Sequence, residues 1–333
     1  MKKHLLFILI TAISGIAIGQ KHLQDYDPVL KSTLQRAIPV DPAKGYAIEQ
    51  VTPSVYVITD GIWQSAAVVA DEEVILIDAP ESFGAQITTA VRSVTDKPIT
   101  TLIYSHGHSD HIGGAQHLAD IQDLNIIALT PTAHFLREQQ DPRRLIPTQT
   151  FEGAYVHKTG DLAIHLSNHM NYHSPEGDLF VSIPSERFLM VIDVLAPGYV
   201  PFKNLDLSNN VHAYLQVFDQ ILAYDFDVFV GGHLTSVGTR QDVLETKAYV
   251  EDLYRTVKRI HDERNQKLVP IMAEAAQEVG WDNKYLLFKV FLDQIIEESA
   301  LEIESRWSDR LAGVDVWSRS HASTMLNYIR WDD

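Results

Sequence analysis

The first two-thirds of the chain alternates short apolar runs with polar breaks. Such runs, largely β-branched and separated by Asp, Glu and Gly, are typical of strands joined in hairpins. The first three runs are Val55–Thr59, Ala66–Ala70 and Val74–Asp78. A helical pattern over Ala85–Val94 then precedes another apolar run at Ile99–Tyr104. Strand, helix and strand in this order predict a β-α-β unit.

A second passage of the same kind follows. Its predicted elements are a short helix near Gly114–Ala119, a strand at Asn125–Leu129 and a helix over Thr132–Gln139. Residues 150–195 return to strands, and Leu179–Ile183 and Phe188–Ile192 predict a hairpin across Pro184–Arg187. Two β-rich halves with interspersed helices predict an α+β fold, in the form of a layered αββα sandwich.

The last quarter of the chain carries helical patterns instead. Thr239 can cap a helix that has Asp242 in its first turn, and the pattern continues to about Arg264. Pro270–Val279 and Asn283–Trp307 predict further helices, the second with its apolar residues near one face. We therefore expect a C-terminal helical extension that packs on the sandwich.

The N-terminus has the pattern of an export signal. Lys2 and Lys3 precede a charge-free apolar stretch, Leu5–Ile18, and small residues end the pattern at Gly19. About 14 apolar residues are too few to cross a bilayer as a helix, which takes about 20. We therefore expect a cleaved signal peptide and a mature protein without a membrane anchor, either periplasmic or secreted.

The expected organisation is a signal peptide at 1–19, a sandwich domain at 20–238 and a helical extension at 239–333. A chain of 333 residues with 45% hydrophobic and 21% charged residues can bury a substantial core. The absence of Cys excludes disulfides and thiolate metal ligands. The formal net charge of −17 repels phosphate backbones, so we expect no nucleic-acid partner.

Chemistry-bearing residues are concentrated after the predicted strand at Ile99–Tyr104. His106, His108, Asp110 and His111 fall within six residues. With 15 His in 333 positions, chance produces this pattern in only about two of a thousand such chains. A strand-end loop that gathers three imidazoles and a carboxylate is typical of a divalent metal site.

The run His-x-His-x-Asp-His resembles the signature of the metallo-β-lactamase superfamily. Four further positions match the family's motifs in order and spacing, over roughly residues 46–240. They are Asp78 at a strand end, His173 before a Ser-Pro-x-Gly-Asp turn, Asp193 after Val191-Ile192, and His233 after Gly231-Gly232. The resemblance implies an αββα sandwich with metal ions at one edge.

The resemblance also implies a ligand set for two divalent metal ions, with zinc as the expected metal. His106, His108 and His173 would hold one ion, and Asp110, His111 and His233 the other. Asp193 would bridge the two ions, and Asp78 would support the ligands from behind. A bridging hydroxide would be the nucleophile, oriented by Asp110, because two cations bring the pKa of a bound water towards about 7.

The family hosts many hydrolytic reactions, so the fold does not define the substrate. Family members that hydrolyse esters, lactones and phosphoesters generally have the bridging Asp, whereas its true β-lactamases generally lack it. We therefore expect an exported dinuclear hydrolase that cleaves a small ester-like or lactone-like molecule. A periplasmic β-lactamase and a non-catalytic metal-binding protein stay as alternatives.

Two expectations concern the surroundings of the metal site. Tyr199, Phe202 and Asn204 follow the bridging Asp193 closely and are candidates to line the substrate cleft. The helices after Thr239 are expected either to shape that cleft or to form a homodimer contact, because the metal motifs are complete by residue 233.

Overall fold

Two β-sheets face each other at the centre of the fold. The computed structural model describes residues 22–234 and 236–333, so the predicted signal peptide at 1–19 lies outside the described residues. Apolar side chains from the facing surfaces of both sheets form one buried core. Helices cover the outer surface of each sheet, and the predicted αββα sandwich is confirmed.

The larger sheet has seven strands, which lie in the order of the sequence. The first strands pair antiparallel and the later ones parallel, with helical crossovers between the later ones. The strands are β1 (Ala47–Gln50), β2 (Val55–Thr59), β3 (Gln64–Val69), β4 (Val74–Ile77), β5 (Ile99–Ile103), β6 (Asn125–Leu129) and β7 (Gln149–Phe151). The strands predicted in this region agree with β2 to β6 within two residues.

The second sheet has five strands. They are β8 (Ala154–Thr159), β9 (Leu162–Asn168), β10 (Leu179–Ile183), β11 (Phe188–Val191) and β12 (Val228–Val230). The predicted hairpin is confirmed, since β10 and β11 pair antiparallel across residues 184–187. Both strands are buried along their whole length, because the facing sheet covers one surface and helices cover the other.

Helices between the strands of the sandwich lie on the outer surfaces of both sheets. The helices in the sandwich are α1 (Lys31–Leu34), α2 (Gly84–Arg92), α3 (Ser109–Ile112), α4 (Thr130–Gln139), α5 (Lys203–Leu207) and α6 (Val211–Leu222). The short helix predicted near 114–119 is a 3-10 helix at Gly113–Leu118. A Cβ at Gly114 would lie 2.3 Å from the carbonyl oxygen of Pro80, so only glycine lets these two backbones approach.

Four helices complete the chain: α7 (Arg240–Asn265), α8 (Leu268–Val279), α9 (Lys284–Trp307) and α10 (Val314–Trp331). The predicted cap of α7 is present, because the Thr239 N–H donates to the Asp242 carboxylate at 2.8 Å. Apolar residues of the extension and of the outer surface of the second sheet belong to one buried core. In the described part of the chain, no helix combines the length and hydropathy needed to span a membrane.

Candidate metal centre

All seven predicted metal ligands meet at one edge of the sandwich. The ligands lie on the segments that connect strands: residues 106–111, which include helix α3, follow β5, Asp193 follows β11, His233 follows β12, and His173 lies between β9 and β10. The carboxyl ends of parallel strands share one edge of a sheet, and β11 and β12 are parallel. Residues distant in sequence are therefore brought together by strand direction.

The seven residues form two groups. In each group, one potential ligand atom per residue lies within 4.8 Å of all the others. The groups are His106, His108, His173 and Asp193, and Asp110, His111 and His233. His106, His108 and His173 thus fall in one group and Asp110, His111 and His233 in the other, as in the ligand sets that the resemblance implies, and Asp193 is grouped with the first.

Asp193 lies between the two groups and directs one carboxylate oxygen to each. Its Oδ1 is 2.7 Å from His233 Nε2 and 3.3 Å from His111 Nε2. Its Oδ2 is 3.3 Å from His106 Nε2 and 3.2 Å from His173 Nε2. A carboxylate in this position can bind two cations at once.

The potential ligand atoms are arranged to bind divalent metal ions rather than to hydrogen-bond to one another. His106 Nε2 is buried and lacks a hydrogen-bond partner among the described residues. His173 Nε2 and His108 Nδ1 face each other at 3.0 Å. Unpartnered buried polar atoms are costly, and a cation would satisfy their lone pairs. Imidazole and carboxylate donors without thiolates suit several divalent metal ions, zinc and iron among them.

Burial and the neighbouring carboxylates shift the pKa values of four imidazoles at the site. Burial lowers the pKa of His106 well below its ordinary value, and burial also lowers that of His108. Both are therefore neutral, which is the form that binds a metal. Burial acts on His111 and His173 too, but the charges of the surrounding carboxylates, chiefly Asp193, together outweigh it. They raise the pKa of His173 and bring that of His111 to about 9. A metal ion would take the place of that proton.

Buried hydrogen bonds hold the backbone on both sides of Asp193. Asp193 has a φ of 56°, which is uncommon for a residue with a side chain. The Tyr172 hydroxyl donates to the carbonyl of Ile192, and the Tyr214 hydroxyl donates to that of Val194 at 2.7 Å. These two tyrosines stabilise the turn that directs the carboxylate inward.

Asp78 supports the metal loop from the end of β4. Its Oδ1 accepts a hydrogen bond from the Ser105 N–H at 2.8 Å, and its Oδ2 lies 4.0 Å from His111 Nδ1. The side chain is fully buried. It therefore lies behind His111, in the position that the resemblance implies.

Sequence reasoning misses several residues that hold the ligands. Asp178 accepts hydrogen bonds from the backbone N–H groups of Tyr172, His173 and Ser174, at 2.8 to 2.9 Å. The one available signal is its place in the Ser-Pro-x-Gly-Asp turn.

Arg144 is another such residue. It donates to the carbonyl of Gly107 at 2.6 Å, which ties the loop between His106 and His108 to the segment after α4. Nothing in the local sequence marks Arg144 for this role, because the contact joins residues 37 positions apart.

The three candidate cleft residues lie against the C-terminal helical region. Phe202 packs its ring on Trp317 at 4.9 Å, and the Asn204 N–H donates to Ser320 at 2.8 Å. Tyr199 forms a bridge with Ala312. That these three line a substrate cleft stays a prediction.

Comparison with known proteins identifies related chains. Residues 60–233 match the family model described as the metallo-beta-lactamase superfamily. The 2,4-dinitroanisole O-demethylase subunit alpha of Nocardioides sp. (strain JS1661) is 29% identical over 212 residues, which make up 60% of this chain and 63% of that protein. The match thus spans less than two thirds of that relative.

A solved metallo-beta-lactamase from Pontibacter korlensis has a similar fold. It superposes with a TM-score of 0.54 at 16% identity, covering 61% of this chain and 97% of that one. At this identity the similarity concerns the fold alone.

Proposed function

The chain belongs to the metallo-beta-lactamase superfamily, and from this premise we propose that it is a hydrolase that uses two divalent metal ions, with zinc as the expected metal. The observation that carries the proposal is the position of Asp193, with one carboxylate oxygen directed to each group of histidines. Such a carboxylate supports a two-ion site. When bound, the ions would polarise the scissile bond and make a water molecule nucleophilic near neutral pH.

The burial of the side chains indicates the side from which a substrate enters. The side chains of His106 and Asp193 are 2% and 6% exposed, whereas those of His233 and Asp110 are 29% and 43% exposed. The substrate would therefore approach over Asp110 and His233. The Asp110 carboxylate, held by the Trp63 indole N–H at 3.4 Å, would orient the attacking water.

Esters and lactones are our first choice of substrate class, because family members with the bridging Asp generally cleave them. The relative named as a 2,4-dinitroanisole O-demethylase favours a second candidate, an activated aryl ether. Two apolar side chains stand beside the entry side: the Trp63 ring is 6.3 Å from that of His233, and Ile62 is half-exposed. They could contact an aromatic substrate.

Metal analysis and a substrate screen test the proposal. We expect about two zinc ions per chain and turnover of an ester, lactone or activated aryl ether, lost on chelation and restored by zinc. His108→Ala should abolish turnover, whereas His117→Ala, at an exposed position on the 3-10 helix, is the matched control. Preferential turnover of β-lactams would promote the β-lactamase alternative. Bound zinc without turnover of any class would favour a non-catalytic metal-binding protein.

We also propose that the mature protein is periplasmic or secreted. The N-terminal pattern of two lysines, an apolar stretch and small residues supports this proposal. Mass spectrometry of the protein from its native host tests this, and an intact Met1 in the cytoplasm would contradict it. A homodimer through the C-terminal helices stays a further proposal, tested by light scattering.

A further inference from the structure

The loop after Asp193 contains a left-handed turn without glycine. Within α5, the φ angles of Asn204, Leu205, Asp206 and Leu207 are 56°, 58°, 55° and 52°. The left-handed conformation is disfavoured for every residue that has a Cβ, and runs of it are rare. Such a turn persists only where the surrounding structure determines it.

Helix α10 of the extension holds this turn. The Ser320 hydroxyl oxygen accepts a hydrogen bond from the Asn204 N–H at 2.8 Å. His321 Nε2 donates to the carbonyl of Phe202 at 3.0 Å, so its Nδ1 is the acceptor that faces the Tyr249 hydroxyl at 2.8 Å. His321 is fully buried. The two neighbouring residues of α10 thus bind the start of the turn.

The other end of the turn binds a metal-site histidine. The carbonyl oxygen of Asp206 accepts a hydrogen bond from His173 Nδ1 at 2.6 Å. Because Nδ1 carries the proton, the lone pair is on Nε2, which lies beside Asp193 at 3.2 Å. A histidine fixed in this way presents one defined nitrogen to a metal.

The turn is also closed on itself. The Asp206 N–H donates to the carbonyl of Phe202 at 3.0 Å, and the Phe202 N–H donates to the Asp206 carboxylate at 3.2 Å. The carbonyl that His321 holds therefore also binds the residue that holds His173. A shift of α10 would move both ends.

We propose that Ser320 and His321 are positioning residues of the metal centre, acting on His173 through the left-handed turn of α5. The inference rests on the proposed function in that it takes His173 as a metal ligand. It makes the C-terminal extension part of the metal centre, although α10 contributes no ligand among the residues grouped there.

Zinc affinity measured on the whole chain tests the proposal. We expect Ser320→Ala to raise the dissociation constant of one zinc ion about 10-fold, within the 10- to 100-fold range typical of residues that support a metal ligand. The second ion should change less than about threefold, because among the described residues neither His111 nor His233 is hydrogen-bonded to the turn. Competition with a chromogenic chelator gives both constants. The absorption spectrum of the cobalt-substituted protein reports the geometry at the affected ion.

The same helix offers a matched control. The Ser318 hydroxyl donates to Glu304 on α9 rather than to the turn, so Ser318→Ala removes a hydroxyl from α10 without removing a hydrogen bond to α5. We expect parental zinc affinity and cobalt spectrum from this variant. His321→Gln can keep the donation to Phe202 and should lie closer to the parent than His321→Leu. If His321→Leu does not fold, Ser320→Ala and His321→Gln decide.

Equal zinc affinities and cobalt spectra in the parent, Ser320→Ala and the His321 variants would overturn the inference alone. Equal weakening in Ser318→Ala would also overturn it, since the effect would then come from helix packing. A parent that binds no zinc would overturn the inference together with the proposed function. The parent is measured first, so the two failures are distinguishable.

Discussion

His321 should make the protein sensitive to acid, and the size of the effect follows from its burial. The side chain is enclosed between α7, which supplies the Tyr249 hydroxyl, and the loop that carries the carbonyl of Phe202. Burial lowers the pKa of His321 to about 4, against an ordinary value of about 6.5. The folded protein therefore keeps this imidazole neutral over a range in which the unfolded chain protonates it.

The sign and magnitude follow from proton linkage. Because the folded pKa is depressed, the contribution of His321 is fully present above about pH 6.5 and is lost as the pH falls towards 4. Each pH unit in this range costs about 1.4 kcal/mol. The loss should reach about 2 kcal/mol at pH 5 and about 3 kcal/mol at pH 4.

Urea unfolding of the metal-free protein at pH 7.5 and pH 5.0 tests this prediction against His321→Gln. The other titrating groups are common to both proteins and cancel in the difference. The parent should lose about 2 kcal/mol more than His321→Gln between the two pH values. The same substitution at His134, which is exposed on α4, is the control and should keep the parental loss. Equal losses in the parent and His321→Gln would refute the reasoning.

Three further predictions concern the metal centre and its supports. Asp193→Asn keeps the shape of the side chain but removes the charge between the two groups of ligands. Metal analysis should therefore find fewer than two ions per chain, and turnover should fall at least about 100-fold. Two retained ions with full turnover would contradict the bridging role. Arg144→Met removes the donor to Gly107, and chelator competition should show zinc affinity about 10-fold weaker; parental affinity would show that the loop holds itself. Asp178→Asn weakens three buried bonds to backbone N–H groups, and urea unfolding should show a loss of about 2 kcal/mol; a loss below about 0.5 kcal/mol would count against that anchor.

The parts of the site that can be predicted from the sequence are those with a local signal. His106, His108 and His111 are close in sequence, so their spacing alone makes a chance cluster improbable. The cap of α7 is similarly local, because Thr239 and Asp242 are three residues apart. Strand runs such as β2 and β6 are predicted to the residue, since their polar breaks stand at both ends.

The parts that cannot be predicted depend on contacts across the fold. Four left-handed residues at 204–207 include no glycine, so nothing in their sequence distinguishes them from an ordinary loop. Arg144 reaches Gly107 through the tertiary arrangement alone. Helix α10 lies within the predicted helical extension at 239–333, but its bounds, Val314–Trp331, are not predicted from the sequence.

The core that joins the last helices to the second sheet limits how this protein can be recombined. Leu205 of the turn, Trp307 of α9 and Met325 of α10 are buried in the same cluster as Phe229 of β12. Consider a chimera with residues up to 238 from this chain and the C-terminal helices from a distant homologue. The apolar surfaces that the second sheet and the helices bury against each other would then be exposed or would no longer fit. Exchange of parts between homologues is therefore expected to succeed only when the sandwich and its helices are inherited together.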